Sequence, residues 1–102
     1  MPSLEQLLVL LEADPGDAFL RYGVAMEYAK QGRAEEAVAA FAELRRRHPD
    51  YVPGYFMGAR AQEQAGEVEA AKGLYREGIA VAHRVGDEHA ASEMGTALMA
   101  IE

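Results

Sequence analysis

The chain has 102 residues, of which half are hydrophobic, 26% are charged and none is cysteine. This length fits one domain with a single core, and the lack of cysteine excludes disulfides, thiolate catalysis and sulfur-ligated metals. The formal net charge of -7 comes from 17 acidic and 10 basic side chains, so no surface for nucleic acid is expected.

The N-terminal segment has neither the basic stretch nor the apolar run of a secretion signal. No apolar run approaches the roughly 18 residues that a membrane helix needs. We therefore expect a cytoplasmic protein without a membrane anchor.

Turn signals rich in Gly, Pro and Asp divide the chain into six segments with helical patterning. Alanine is abundant and β-branched residues are sparse, so strands have little support. The sequence predicts an all-α fold with about six helices. Their expected ranges are 3–13, 18–31, 34–47, 52–65, 68–85 and 87–101.

The first predicted helix ends before Pro15 and is rich in leucine. Its leucines suit a helix that covers the open end of a helical stack. They are Leu4, Leu7, Leu8, Leu10 and Leu11.

The four middle helices repeat with a step of 34 residues. Gly32 recurs as Gly66, and Ala25 recurs as Ala59. Such a period indicates tandem helix pairs. The same step relates Ala37 to Ala71, Tyr22 to Phe56, Phe41 to Tyr75 and Pro15 to Pro49.

The segment from Tyr22 to Pro49, YGVAMEYAKQGRAEEAVAAFAELRRRHP, resembles a tetratricopeptide repeat (TPR). The family places small, aromatic, Gly, Ala, aromatic and Pro residues at fixed positions. Here those positions hold Ala25, Tyr28, Gly32, Ala37, Phe41 and Pro49. The next copy departs from the pattern at Gln62, which replaces an aromatic residue, and at His83, which replaces proline.

The resemblance implies a right-handed α-solenoid of antiparallel helix pairs over the whole chain. Residues 1–17 would form an N-terminal capping helix, 18–51 the first repeat, 52–85 the second repeat and 86–102 a C-terminal capping helix. Because no proline stops the helix near His83, we expect the fifth helix to continue to Gly86. Gly32 and Gly66 should end their helices in the left-handed conformation.

Five glycines fall inside predicted helices, and each costs about 1 kcal/mol relative to alanine. Two explanations are open: the glycines permit close helix contacts, or the second repeat is marginal and gains stability from a partner or from another copy of this chain. The five are Gly23, Gly58, Gly73, Gly78 and Gly95.

In the family, the first helix of each repeat lines a concave groove that binds other proteins. The resemblance therefore implies a non-catalytic scaffold that holds a peptide or helix of a partner protein. The alternatives are a homodimer that buries the same surface, and ordinary packing of these side chains against neighbouring helices. The candidate groove residues are Phe19, Tyr22, Met26, Phe56, Arg60 and Met94.

Residues that could support catalysis or metal binding are scarce. The only hydroxyl side chains besides tyrosine are Ser3, Ser92 and Thr96, at places that suit helix caps or helix surfaces. No two histidines have the four-residue spacing of a helical metal site. We expect no enzymatic activity, cofactor or metal. The Arg45 to Arg47 triplet falls in the last turn of a helix, where cations complement the helix dipole.

Overall fold

Six helices follow one another in the computed structural model, which describes residues 2–102. The prediction of an all-α fold is confirmed, and each helix end lies within one residue of its expected place. The helices are α1 (Leu4–Ala13), α2 (Ala18–Lys30), α3 (Ala34–Arg47), α4 (Pro53–Gln64), α5 (Val68–Val85) and α6 (Glu88–Ile101).

Side chains next to the first turns explain where several helices begin. The Ser3 hydroxyl accepts a hydrogen bond from the Gln6 amide, and the Gln6 side chain accepts one from the Ser3 amide. This reciprocal pair satisfies two backbone donors at the start of α1. Asp17 and Asp87 accept from backbone amides in the same way at α2 and α6.

Glycines in the left-handed conformation end three of the helical segments. Their φ angles are 75° at Gly32, 81° at Gly66 and 82° at Gly86. The left-handed prediction for Gly32 and Gly66 is therefore confirmed. The fifth helix also continues to Gly86, as expected, and reaches 18 residues because it meets no proline at His83.

The core consists of three clusters that follow the order of the helices. The first joins α1 to α2 through Leu4, Leu7 and Val24. The second is enclosed by α2, α3 and α4 and contains Phe41 and Leu44, both completely buried. The third is enclosed by α4, α5 and α6. Its largest members are Tyr55, Leu74, Tyr75, Val81 and Met94.

Two of the five helical glycines lie where helices approach closely. A Cβ atom at Gly58 would collide with Nη1 of Arg45, and one at Gly78 would come 2.6 Å from Cβ of Tyr55. At Gly73 and Gly95 nothing lies within 4 Å. Close contact therefore explains Gly58 and Gly78, whereas Gly73 and Gly95 only weaken their helices.

The arginine triplet at the end of α3 has two different environments. Arg46 and Arg47 both pair with Glu43 on the helix surface, in the last turn as predicted. Arg45 instead lies in the α3–α4 interface, where its Nη1 donates to the Gly54 carbonyl at 3.0 Å. Burial lowers the pKa of Arg45, and the guanidinium nevertheless stays charged.

The leucines of α1 do not all cover the end of the stack, as the sequence had suggested. Leu4 and Leu7 are buried against α2, and Leu11 is partly buried. Leu8 and Leu10 are exposed, together with Val9. In residues 2–102 no helix packs on that outer face of α1, so the expectation for Leu8 and Leu10 was wrong.

Candidate functional site

The predicted groove residues fall on two separate cavities. Phe19, Tyr22 and Met26 of α2 line a cavity of about 600 Å³ that they share with α1. Phe56 and Arg60 of α4 line a cavity of about 360 Å³ that they share with α6. We call them the N-terminal cavity and the C-terminal cavity.

Apolar side chains dominate the N-terminal cavity. Leu7 and Leu10 contribute from α1, and Leu20 and Gly23 contribute from α2. Phe19 stands at the edge with 72% of its surface exposed. An exposed aromatic ring beside an apolar cavity is typical of an interaction surface.

Tyr22 connects this cavity to the core of the first repeat. Its ring packs edge-on against Phe41 at 6.3 Å and against Tyr51 at 6.0 Å between ring centres. Burial raises the pKa of Tyr22, so its hydroxyl remains protonated at neutral pH. The ring is held in one orientation while one side of it faces the cavity.

The C-terminal cavity is more polar. The Arg60 guanidinium lies over the Phe56 ring at 4.8 Å from its centre, and that ring packs edge-on against Tyr75. The wall from α6 supplies His89 and Glu93, which pair at 3.0 Å. This surface offers both charges, with an aromatic ring beneath the cation.

A buried tyrosine hydroxyl lies close to Arg60. The Tyr75 hydroxyl donates a hydrogen bond to the Glu63 carboxylate. Burial, followed by this hydrogen bond, raises the pKa of Tyr75 well above its usual range. Because the phenol does not ionise near neutral pH, it supplies a fixed donor to Glu63 and no proton-transfer chemistry.

Met94 does not belong to the surface. It is completely buried between α5 and α6, and a Cβ atom at Gly78 would lie 2.7 Å from its sulfur. The missing side chain at Gly78 creates the space that Met94 fills. The placement of Met94 on an exposed groove was therefore wrong, and the packing alternative applies to this residue.

Sequence reasoning did not identify the α1 side of the N-terminal cavity. The 34-residue step contained a usable signal, because Leu10 is the counterpart of Leu44. Leu44 is completely buried, whereas 47% of Leu10 is exposed. A large residue that is buried in one repeat and exposed at the equivalent position of another indicates that a packing partner is missing there.

Neither metal ligation nor membrane crossing finds support in the described part of the chain. Among residues 2–102, no three or more His, Asp or Glu side chains converge on one point. None of the six helices is both long and apolar enough to cross a membrane.

Comparisons with known proteins agree with the repeat. A family model described as a tetratricopeptide repeat matches residues 17–51. A TPR repeat-containing protein of Pseudomonas aeruginosa is 30% identical over 91 residues, which are 89% of this chain and 87% of that protein. The resemblance inferred from Tyr22 to Pro49 is therefore confirmed.

Solved structures show the same arrangement of helices. The solution structure of a tetratricopeptide repeat domain protein from Salinibacter ruber is 36% identical, with a TM-score of 0.82 over 87% of this chain and 90% of that one. The crystal structure of PcrH in complex with the chaperone binding region of PopD has a TM-score of 0.88 at 20% identity. That match covers 96% of this chain and 74% of the other, and it concerns the fold alone.

Proposed function

The chain belongs to the tetratricopeptide repeat family, and on that premise we propose that it is a non-catalytic scaffold that holds a peptide or helix of a partner protein. The N-terminal cavity is the proposed binding surface. The observation that carries this proposal is the apolar cavity of about 600 Å³ beside the exposed ring of Phe19.

The size and lining of the cavity support this function. Binding pockets commonly measure about 300–1,000 Å³ and combine an apolar lining with few polar groups. The N-terminal cavity fits that description and includes Met26, whose flexible thioether adapts to different partners. Phe56 and Arg60 would extend the contact along α4.

The fold supports the same proposal. PcrH, which has the same fold, was solved with a region of PopD bound to it. A helical repeat of this kind can therefore hold a segment of another protein.

Phe19→Ala tests the surface with little risk to the fold, because most of the Phe19 side chain is exposed. The immobilised variant should retain much less of any protein that the wild type captures from extract, measured by quantitative mass spectrometry. Val68→Ala is the matched control, since Val68 is an exposed apolar residue on α5. Equal retention by Phe19→Ala and wild type would refute the assignment.

Tyr22→Ala with Phe56→Ala extends the test to both cavities. Each ring also packs against a core aromatic residue. A loss of capture by this double variant therefore counts only if circular dichroism shows that the helices remain folded.

Self-association is the second candidate, and the outer face of α1 favours it. Leu8, Val9 and Leu10 are exposed there, with 67% of Val9 uncovered. A homodimer could bury this face together with Phe19. Light scattering over a range of concentrations separates the two functions, because a scaffold with an open surface remains monomeric.

A further inference from the structure

The N-terminal cavity lies where the repeat pattern calls for another helix. In the first repeat, α2 covers Phe41 and Leu44 of α3, and both side chains are completely buried. Their counterparts 34 residues earlier are Leu7 and Leu10 of α1. In residues 2–102 no helix covers α1 in the corresponding way, and the cavity occupies that position.

Residues of α2 also indicate that the cavity lies at the position of another helix. Gly23 and Glu27 line the cavity. Their counterparts in α4 are Met57 and Ala61, which pack in the cluster that α2 helps to enclose. The walls of the cavity therefore stand at the same repeat positions as the walls that receive α2.

We propose that the N-terminal cavity binds an amphipathic helix of another protein, which takes the position of a first helix packed on α1. This inference rests on the proposed scaffold function and specifies its partner. The bound helix would place an apolar stripe on Leu7 and Leu10, with a small residue where α2 has Ala25.

Charge indicates that the partner helix is basic. Glu27 lies in the cavity, and Glu5, Glu12 and Asp14 lie on or just after α1. Within residues 2–102 none of these four carboxylates takes part in a salt bridge. Lys30 is the one basic residue of the lining. Lysine or arginine beside the apolar stripe would therefore find an unpaired carboxylate at Glu27, the one acidic residue among those that line the cavity.

A second copy of this chain fits the cavity poorly. Within the described residues, α6 is the helix that occupies a first-helix position with no second helix after it. Its Met94 is already buried in its own core. Both copies would also bring acidic surfaces together.

A synthetic helix derived from α2 is a suitable probe. The peptide has the sequence of residues 17–33, which keeps the Asp17 cap, with blocked ends and a fluorescent label. Ala29 of α2 packs in the same cluster as Ala61, the counterpart of Glu27. Position 29 of a peptide bound as α2 is would therefore face the group of side chains that Glu27 borders. One peptide carries Ala29→Lys and the other carries Ala29→Glu.

Fluorescence anisotropy with the full-length protein at low ionic strength gives the affinity of each peptide. The lysine peptide should bind about fivefold more tightly than the glutamate peptide, as expected for one partly exposed ion pair. Glu27→Lys in the protein should reverse this preference. Leu10→Glu should weaken the binding of both peptides by at least about tenfold, because it places a charge in the apolar N-terminal cavity. Met99→Glu is the matched control, since 76% of Met99 is exposed on α6, and it should leave both affinities unchanged.

Several results would overturn the inference. These are no saturable binding of either peptide, equal binding to wild type and Leu10→Glu, or a preference that Glu27→Lys does not reverse. A wild-type dimer that Leu10→Glu converts to a monomer would show that a second copy fills the cavity. Another such result is that Phe19→Ala abolishes partner capture while Leu10→Glu binds both peptides as the wild type does. That result would support the scaffold function and refute the inference that the N-terminal cavity binds a helix. If neither substitution affects binding, both proposals fail.

Discussion

At the scale of single residues, the absent side chain at Gly78 in the second repeat is compensated by a large side chain from another helix. Its counterpart in the first repeat is Leu44, a completely buried core residue. Met94 of α6 fills the space that a leucine at position 78 would need. The exchange keeps the core filled while the large side chain comes from a different helix.

Gly78→Ala should destabilise the protein by up to about 2 kcal/mol. Its Cβ atom would collide with Cβ of Tyr55 and the sulfur of Met94, which costs about 1–3 kcal/mol, and the gain in helix propensity returns about 1 kcal/mol. Gly73→Ala in the same helix meets no neighbouring atom and should stabilise by about 0.5–1 kcal/mol. Urea unfolding gives the free energy of unfolding of each variant. Equal effects of the two substitutions would contradict the close contact at Gly78.

Glu43 predicts a pH dependence of stability. Its hydrogen bonds to Arg46 and Arg47 lower its pKa from the usual 4.5 to about 2. A carboxyl group whose pKa is lower in the folded state stabilises the protein above pH 4.5, and this contribution is lost as pH falls towards 2. The effect is small, because the pair is exposed. The difference in Tm between wild type and Glu43→Gln should therefore shrink from pH 6 to pH 2. A constant difference would contradict the lowered pKa.

Residue identity alone allowed only part of the candidate site to be predicted. Phe19, Tyr22 and Met26 do line a cavity, because their helix follows the regular repeat. Met94 occupies the same repeat position as Met26, yet its burial depends on a glycine in a different helix. Arg45 is likewise drawn into the α3–α4 interface by a hydrogen bond to the α4 backbone. A repeat pattern does not reveal such compensation, because the two residues of each pair lie in different helices.

At the scale of helices, the length of α5 distinguishes the second repeat from the first. Pro49 comes just after His48, the C-cap of α3, whereas the counterpart of Pro49, His83, lies inside α5. The added turn brings Arg84 to Asp50 and His83 to Glu88, so α5 contacts both the turn before α4 and the start of α6. Helix ends were predictable because glycine and proline impose them locally.

His83→Pro should shorten α5 and destabilise the protein by about 3 kcal/mol, because proline removes a helical hydrogen bond and clashes with the preceding turn. Glu88→Pro is the control, since it also removes the His83 partner but places proline at the first position of α6. It should cost less than about 1 kcal/mol, as proline is tolerated at that position. Circular dichroism and urea unfolding compare the variants. An equal loss in both would indicate that the contact between His83 and Glu88, and not the added turn, carries the effect.

At the scale of the whole molecule, the two ends of the stack differ in chemistry. The exposed side of α6 carries the polar residues His89, Ser92, Glu93 and Thr96, which border the C-terminal cavity, and the apolar Met99. The outer face of α1 presents Leu8, Val9 and Leu10. Helix α1 therefore exposes three large apolar side chains, whereas α6 exposes one, Met99.

This asymmetry predicts where the molecule opens first. Helix α1 is held mainly by Leu4 and Leu7 against α2, whereas α5 contributes six buried residues to the interface with α4 and α6. In a repeat protein each helix depends on its neighbours, so the least buried end opens with the lowest free energy. Hydrogen exchange monitored by mass spectrometry should show amides of residues 7–13 exchanging well before those of residues 72–85.

The lysine-bearing helical peptide should slow exchange in α1 and leave exchange in α6 unchanged, because a ligand that binds only the closed state stabilises that state. Leu10→Glu should remove this protection while leaving the exchange of α5 as in wild type. Protection of α1 equal to that of α5 without any ligand would show that the N-terminal end is already covered. In that case self-association would cover the exposed leucines of α1. The exchange rates of α1 would then depend on protein concentration.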